Sequence, residues 1–200
     1  MTLTFTADDA DRTRAIGRAL GARLRAGDLV MLRGELGAGK TTFAQGIGAG
    51  LRVRGHVSSP TFIVARVHPS LVGGPDLIHA DAYRITDLDD LETLDLDSSL
   101  ADSVTVVEWG EGKTEALSDQ RLEVDIIRPT GGDAARGADD VIDLEGMDVG
   151  PRRIVLRPFG ARWDGELDRL GAEAALAAAS DPARAETAAP APTAPPAPAE

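Results

Sequence analysis

The sequence predicts an α/β fold in which a mixed, mostly parallel β-sheet is flanked by helices. Three observations carry that expectation. Apolar runs of strand length alternate with amphipathic segments of helix length along most of the chain, the pattern of layered α/β folds. One such run, Leu29–Arg33, leads into a glycine-rich turn and then a helical segment. The later strand-like runs follow one another with little helix between them, which predicts some antiparallel pairing.

Taken in order, Leu3–Phe5 reads as a short strand. Asp8 or Asp9 caps a helix running to about Ala26, with Ile16, Leu20 and Leu24 at four-residue spacing on one face. Leu29–Arg33 is an apolar strand that stops at Gly34, and Lys40–Leu51 is a helix with Phe43, Ile47 and Leu51 on one stripe. Phe62–Val67, Leu77–Ala80, Val104–Trp109, Leu122–Ile127 and Arg153–Leu156 read as strands, and Asp87–Leu94 and Trp163–Leu176 as helices. Pro129 to Pro151 carries five glycines among acidic residues and reads as a surface insertion. From about Ala172 the chain is rich in alanine and proline, with almost no large apolar residue after Leu176. Such a segment buries too little surface to offset its ordering entropy, so disorder is expected from about residue 181. The expected organisation is one domain over residues 1–171, with its insertion at about 129–151, and a tail over 172–200. No internal repeat is visible.

Composition narrows the functions. The chain has 200 residues, 42% hydrophobic and 27% charged, enough for one sizeable core. It has no cysteine, which excludes disulfides, thiolate metal sites and cysteine nucleophiles. His56, His68 and His79 are too scattered to suggest a polyhistidine metal site. Met1–Asp9 lacks a basic stretch followed by an apolar run, and no run of about 18 apolar residues occurs; no signal peptide, no membrane segment and a cytoplasmic location are expected. The net charge of −12 is uneven: +5 over residues 1–75, −16 over 76–148 and −1 over 149–200. A net acidic chain is a poor stand-alone binder of DNA or RNA, and the acidic middle suits protein contacts better.

The sharpest motif is Gly34-Glu-Leu-Gly37-Ala38-Gly39-Lys40-Thr41-Thr42, which fits the phosphate-loop pattern G-x-x-x-x-G-K-[ST]. Glycines let the backbone curl until successive N–H groups point inward at a phosphate. The following helix offers unpaired N–H groups and the positive end of its dipole. Lys40 reaches the β- and γ-phosphates as a compact cation, and the Thr41 hydroxyl ligates Mg²⁺. The chain uses 19 arginines and only two lysines, so a lysine in the loop is a specific choice of point charge over guanidinium fork. Gly37, Ala38, Gly39, Lys40, Thr41 and Thr42 are the expected nucleotide-binding residues. No Asn-Lys-x-Asp guanine-reading pattern is present, which favours ATP over GTP.

A magnesium site in this setting needs a carboxylate at the end of an apolar strand. Asp81 ends Leu77-Ile-His-Ala-Asp and Glu108 ends Val104-Thr-Val-Val-Glu, and both remain open on the residues alone. Ser59 and Thr61 lie in a turn signal ahead of a strand; Thr61 is either a plain turn residue or a switch that senses the γ-phosphate. Trp109 either packs on the nucleotide or fills core. Arg84 either supports phosphate charge or pairs with nearby acids.

Four linked motifs now stand in the chain: Gly34–Phe43, Ser59-Pro-Thr-Phe, His79-Ala-Asp-Ala-Tyr-Arg84 and Val107-Glu-Trp. In order and spacing they resemble the bacterial tRNA threonylcarbamoyladenosine biosynthesis ATPases, the TsaE family, over about residues 3–128 and again near Arg152–Trp163. The resemblance implies a P-loop NTPase fold with ATP and Mg²⁺ as ligands and ATP hydrolysis as the activity. It implies action with TsaB and TsaD, the threonylcarbamoyl-transfer partners, which modify adenosine 37 of tRNAs reading codons that begin with A. The tRNA is met through the complex, and the ATPase does not itself transfer the carbamoyl group. By resemblance, Thr41 and Glu108 are the metal ligands, and Lys40, Asp81 and Glu108 serve catalysis. Trp109 neighbours the nucleotide, and Ser59, Thr61, Tyr83 and Arg84 belong to switch segments that ATP orders and hydrolysis releases. Departures are Gly110, where the family often has proline, and Ala82, where leucine is common. The 129–151 insertion and the tail have no counterpart in short members. Two other readings compatible with the loop are a small-molecule kinase, whose arginine lid and acceptor pocket are not evident, and a nucleotide-gated scaffold with negligible hydrolysis.

Overall fold

The computed structural model describes residues 2–58, 65–84, 100–128 and 150–179. The expected Asp87–Leu94 helix, Ser59 and Thr61, most of the 129–151 insertion and the tail beyond residue 179 lie outside them. The strands are β1 (Leu3–Ala7), β2 (Leu29–Arg33), β3 (Ala65–His68), β4 (Asp76–Asp81), β5 (Ser103–Glu108), β6 (Arg121–Ile127) and β7 (Arg152–Pro158). The helices are α1 (Ala10–Gly21), α2 (Lys40–Leu51) and α3 (Glu166–Ala179).

The seven strands form one sheet in the order β1-β7-β6-β2-β5-β4-β3. Its centre, β6-β2-β5-β4, is parallel. The flanks are antiparallel, β7 against both β6 and β1, and β3 against β4. The mixed, mostly parallel α/β sheet read from the sequence is therefore the observed one, including antiparallel pairing among the late strands. Alternation assigns the two faces. Val30 and Leu32, Val104 and Val106, Leu77, Leu122, Val124, Ile126, Ile154 and Leu156 join the main core with residues of all three helices. Leu29, Met31, Ile78, Ala80 and Val107 form a smaller cluster on the opposite face.

Asp9 is the cap of α1, its carboxylate accepting from the Arg12 N–H at 2.6 Å. The helix stops at Gly21, not near Ala26. The chain turns there because the Asp28 carboxylate accepts from the Arg25 N–H at 2.8 Å and Gly27 adopts φ +88°. Leu24 still reaches the core, so the apolar stripe outlives the helix. Likewise α3 begins at Glu166, with Trp163 in a preceding 3₁₀ turn (Ala161–Trp163), and runs on across residue 172 to Ala179.

The helices α1 and α2 lie nearly backbone to backbone. A Cβ on Gly46 would stand 2.3 Å from the Arg14 carbonyl oxygen of α1, and one on Gly17 would stand 2.4 Å from that of Phe43 in α2. This contact fixes how α2 sits on the sheet. The far end of the domain is tied by ion pairs. Arg162 grips Asp28 with two hydrogen bonds of 2.7 Å. Glu166 pairs with Arg23 at 2.9 Å, Arg169 at 3.0 Å and Arg25 at 3.4 Å. Arg23 in the α1–β2 turn thereby holds the start of α3, and its hydrogen bonds keep the Glu166 carboxyl below the usual carboxylate range despite burial.

Two expectations follow from this packing. Gly46→Ala gains helix propensity worth about 1 kcal/mol but drives a methyl into backbone that cannot retreat, at a cost of about 2–3 kcal/mol. Denaturant titration should show a net loss of about 1–2 kcal/mol; a gain in stability would contradict the packing. For Glu166, a depressed folded-state pKa means its stabilisation is present above the unfolded value of 4.5 and lost as pH falls through the folded one. The stability gap between the unsubstituted chain and Glu166→Gln should be about 2 kcal/mol at pH 7, since part of the network is solvent-exposed, and should shrink on acidification below about pH 4.5.

Candidate phosphate-loop site

The site forms where the parallel strands end and α2 begins, the edge at which open α/β sheets collect their ligands. The loop between β2 and α2 turns on glycines: Gly34, Gly37 and Gly39 have φ of +148°, +74° and +107°. Gly34 also needs its missing side chain, because a Cβ there would lie 2.4 Å from the Ile126 carbonyl oxygen of β6. The loop is thereby pressed onto the sheet end, with the first turn of α2 and its unpaired N–H groups facing the cavity.

Alternation along β4 and β5 aims Leu77, His79 and Asp81, and Val104, Val106 and Glu108, at the helix side. Leu77, Val104 and Val106 enter the main core. The acids, paired in register across the two strands, stand at the rim. Thr41 in the first turn of α2 donates its hydroxyl to Glu108 Oε1 at 3.0 Å, and His79 Nε2 meets the same oxygen at 3.0 Å. Asp81 Oδ1 accepts the Tyr83 N–H at 2.9 Å, within the 3₁₀ turn Ala82–Arg84 that follows β4.

Lys40 is nearly buried, 5% exposed. Its ammonium donates to the Gly34 and Glu35 carbonyls at 2.8 and 3.0 Å and lies 3.7 Å from the centre of the Trp109 ring. Burial pushes the Lys40 pKa down, and Glu108 and Asp81 pull it back up. Trp109 is one of two non-glycine residues of the described chain with positive φ, at +59°. That conformation costs a bulky residue about 1–3 kcal/mol, and it turns the indole across Lys40 and against the edge of Tyr83, 5.5 Å between centroids. The indole is thereby part of the cavity wall.

A cavity of about 490 Å³ is lined by Leu36, Gly37, Gly39, Lys40, Thr41, Thr42, Asp81, Tyr83, Glu108 and Trp109, a volume in the usual range for small-molecule sites. Six of the lining residues belong to the loop and α2, and four to the ends of β4 and β5. Of the residues expected from sequence, the structure brings together Gly37, Gly39, Lys40, Thr41, Thr42, Asp81, Tyr83, Glu108 and Trp109. Ala38 is buried beneath the loop, 1% exposed. Arg84 lies at the end of its 3₁₀ turn. A second hollow of about 560 Å³, lined by Arg33, Gly34, Glu35, Glu111 and Lys113, shares Tyr83 and Trp109 with the first.

The donor set fits a phosphate-bound divalent cation. Among the described residues no cluster of three or more His, Cys, Asp or Glu could hold a metal alone. A hydroxyl, one carboxylate and ligand oxygens are what magnesium accepts in such settings. The departure at Gly110 has a local cause. A Cβ there would stand 2.3 Å from Thr114 Oγ1, whose hydroxyl and N–H both donate to the Gly110 carbonyl, at 3.1 and 2.9 Å. His79 is the site residue that the sequence does not single out: its motif gives it no role, and only the fold buries it against Glu108.

Known proteins place this architecture. The family model described as threonylcarbamoyl adenosine biosynthesis protein TsaE matches residues 7–136. The chain is 55% identical over 151 residues to the tRNA threonylcarbamoyladenosine biosynthesis protein TsaE of Streptomyces coelicolor, across 75% of this chain and 93% of that one. It is 46% identical over 132 residues to the Mycobacterium tuberculosis protein of the same name, across 62% and 79%. The counterpart from Bacillus subtilis is 37% identical over 124 residues, across 62% and 75%. The crystal structure of Bacillus subtilis YdiB superposes with a TM-score of 0.63 at 27% identity, covering 86% of this chain and 96% of that one. No helix of the described residues is long and apolar enough to cross a membrane. With a P-loop-type sheet, the phosphate loop at its parallel edge and relatives that match along most of their length, the chain belongs to the TsaE family of tRNA threonylcarbamoyladenosine biosynthesis proteins.

Proposed function

We propose that this chain binds ATP with Mg²⁺ in the cavity between the phosphate loop and the ends of β4 and β5, and hydrolyses it to ADP and phosphate. The observation that carries the reading is the Thr41–Glu108 hydrogen bond of 3.0 Å at the start of α2, beside the Lys40 ammonium. Hydroxyl and carboxylate converge there as a magnesium site requires. Thr41 and Glu108 would hold the ion. When bound, it supplies charge compensation at the phosphate oxygens.

The protein's own part is positional. The α2 N-terminus and the glycine turns direct N–H groups at phosphate oxygens. Lys40 exchanges the Gly34 and Glu35 carbonyls for the β- and γ-phosphates. Asp81 is the second carboxylate required for turnover, held by the Tyr83 N–H. Trp109 and Tyr83 wall the site and move with its occupancy. The Asp81–Arg84 turn, together with Ser59–Thr61, acts as a switch whose ordered form is favoured by contacts to the γ-phosphate. Through it, turnover regulates TsaB- and TsaD-type partners that form threonylcarbamoyladenosine at position 37 of tRNA in the cytoplasm, with tRNA engaged through the complex. The acidic stretch over residues 76–148 suits protein partners.

Three measurements test the reading. Lys40→Ala should abolish ATP binding by calorimetry; retained affinity would overturn the loop assignment. Glu108→Ala should lower magnesium-dependent phosphate release about 100-fold or more while changing nucleotide affinity far less. Deleting the gene should remove threonylcarbamoyladenosine from hydrolysed tRNA, and its persistence in a single-copy strain would sink the pathway assignment. Phosphoryl transfer to a nucleoside or sugar, in place of bare phosphate release, would favour the kinase reading.

A further inference from the structure

His79 sits in the middle of β4 and is wholly buried, at 0% exposure. Its strand neighbour on the same face, Leu77, belongs to the main core. A polar ring at such a place costs stability unless it is paired. Among the described residues only one of its two nitrogens is paired: Nε2 lies 3.0 Å from Glu108 Oε1, and Nδ1 has no partner. A carboxylate oxygen only accepts, so the proton of the contact sits on Nε2. An aliphatic side chain would fill the site without leaving a buried nitrogen unmet, which makes packing a poor reason for this histidine. What it supplies is one N–H, fixed in direction by the sheet, aimed at one oxygen of Glu108.

Glu108 receives two hydrogen bonds, both on Oε1. Among the described residues Oε2 accepts none, and Glu108 lines the cavity. The two donors differ in kind. Thr41 Oγ1 is a rotor and, in the reading above, itself a metal ligand, so the direction of its O–H would be set by the ion as well as by Oε1. His79 is buried on an interior strand between β3 and β5 and has no competing partner among the described residues, so its restraint on Oε1 does not depend on the ion.

We propose that His79 is a positioning residue for the metal-binding carboxylate: its Nε2–H anchors Oε1 and keeps Oε2 available to a divalent cation held with the nucleotide. The inference rests on the assignment of Glu108 as a magnesium ligand. It needs no change in the charge of the histidine, only its N–H.

The test is calorimetric binding of ADP to the full chain across a magnesium series, with thermal unfolding of each variant in parallel. His79→Leu should raise the magnesium concentration that supports tight ADP binding about 10- to 100-fold, with metal-free ADP affinity unchanged. His79→Gln should recover most of the loss, because its amide nitrogen reaches about as far as Nε2. His79→Asn, equally polar but too short, should not. Should His79→Leu fail to fold, the Gln and Asn pair carries the comparison. A His79→Leu protein with the magnesium requirement of the unsubstituted chain would overturn the proposal. So would Gln and Asn variants that behave alike, or variants that lose metal-free binding in step with thermal stability. If ADP binding by the unsubstituted chain ignores magnesium, or Glu108→Gln leaves its magnesium response intact, the ligand assignment itself has failed. That outcome is distinct from a defect in the role of His79.

Discussion

Glu108 Oε1 receives a hydroxyl from the first turn of α2 and a ring nitrogen from the middle of β4, each at 3.0 Å. Three elements from distant parts of the sequence thus meet at one atom, and the rest of the site is arranged around that meeting. It can occur only if β4 and β5 keep their register, with His79 opposite Val106 and Asp81 opposite Glu108. A one-residue slip would turn the acids and the histidine to the other face of the sheet. It also requires α2 to stand at a set height over β5, which the close α1–α2 contact at Gly17 and Gly46 provides.

The electrostatics balance around the same point. The Lys40 ammonium is withdrawn from water, which weakens its hold on its proton, and Glu108 and Asp81 oppose that effect. Two loop carbonyls and the face of Trp109 meet the ammonium from its remaining sides. The loop therefore carries partners for its own buried cation, and a phosphate would replace them rather than create order from a floppy segment. The unusual backbone of Trp109 is the local cost of keeping the indole over Lys40.

Legibility of the sequence followed the range of the physics. The phosphate loop and α2 were readable to the residue because the motif demands specific side chains at fixed short spacing. The central strands were readable to within a residue or two from apolar runs. The end of α1 was not, because Leu24 continues the helical stripe while Asp28 and Gly27 turn the chain beneath it. Trp163 misled in the same way, buried ahead of α3 rather than within it. His79 looked like any polar residue on a strand, since its partner lies 29 positions later. The Asp28–Arg162 and Arg23–Glu166 pairs, separated by 134 and 143 positions, leave no local signature at all.

Those long separations bear on how the molecule comes into being. The first strand, Leu3–Ala7, pairs with Arg152–Pro158, so it leaves the ribosome well before its neighbour in the sheet exists. The arginines that follow α1 likewise await Glu166. During synthesis β1 must be carried without its neighbour in the sheet, and the arginines after α1 without their acid, until β7 and the start of α3 have emerged. Closure of the domain is then a late, non-local event whose pace is governed by loop entropy, and the nascent chain is most exposed to misassociation in the interval before β7 arrives.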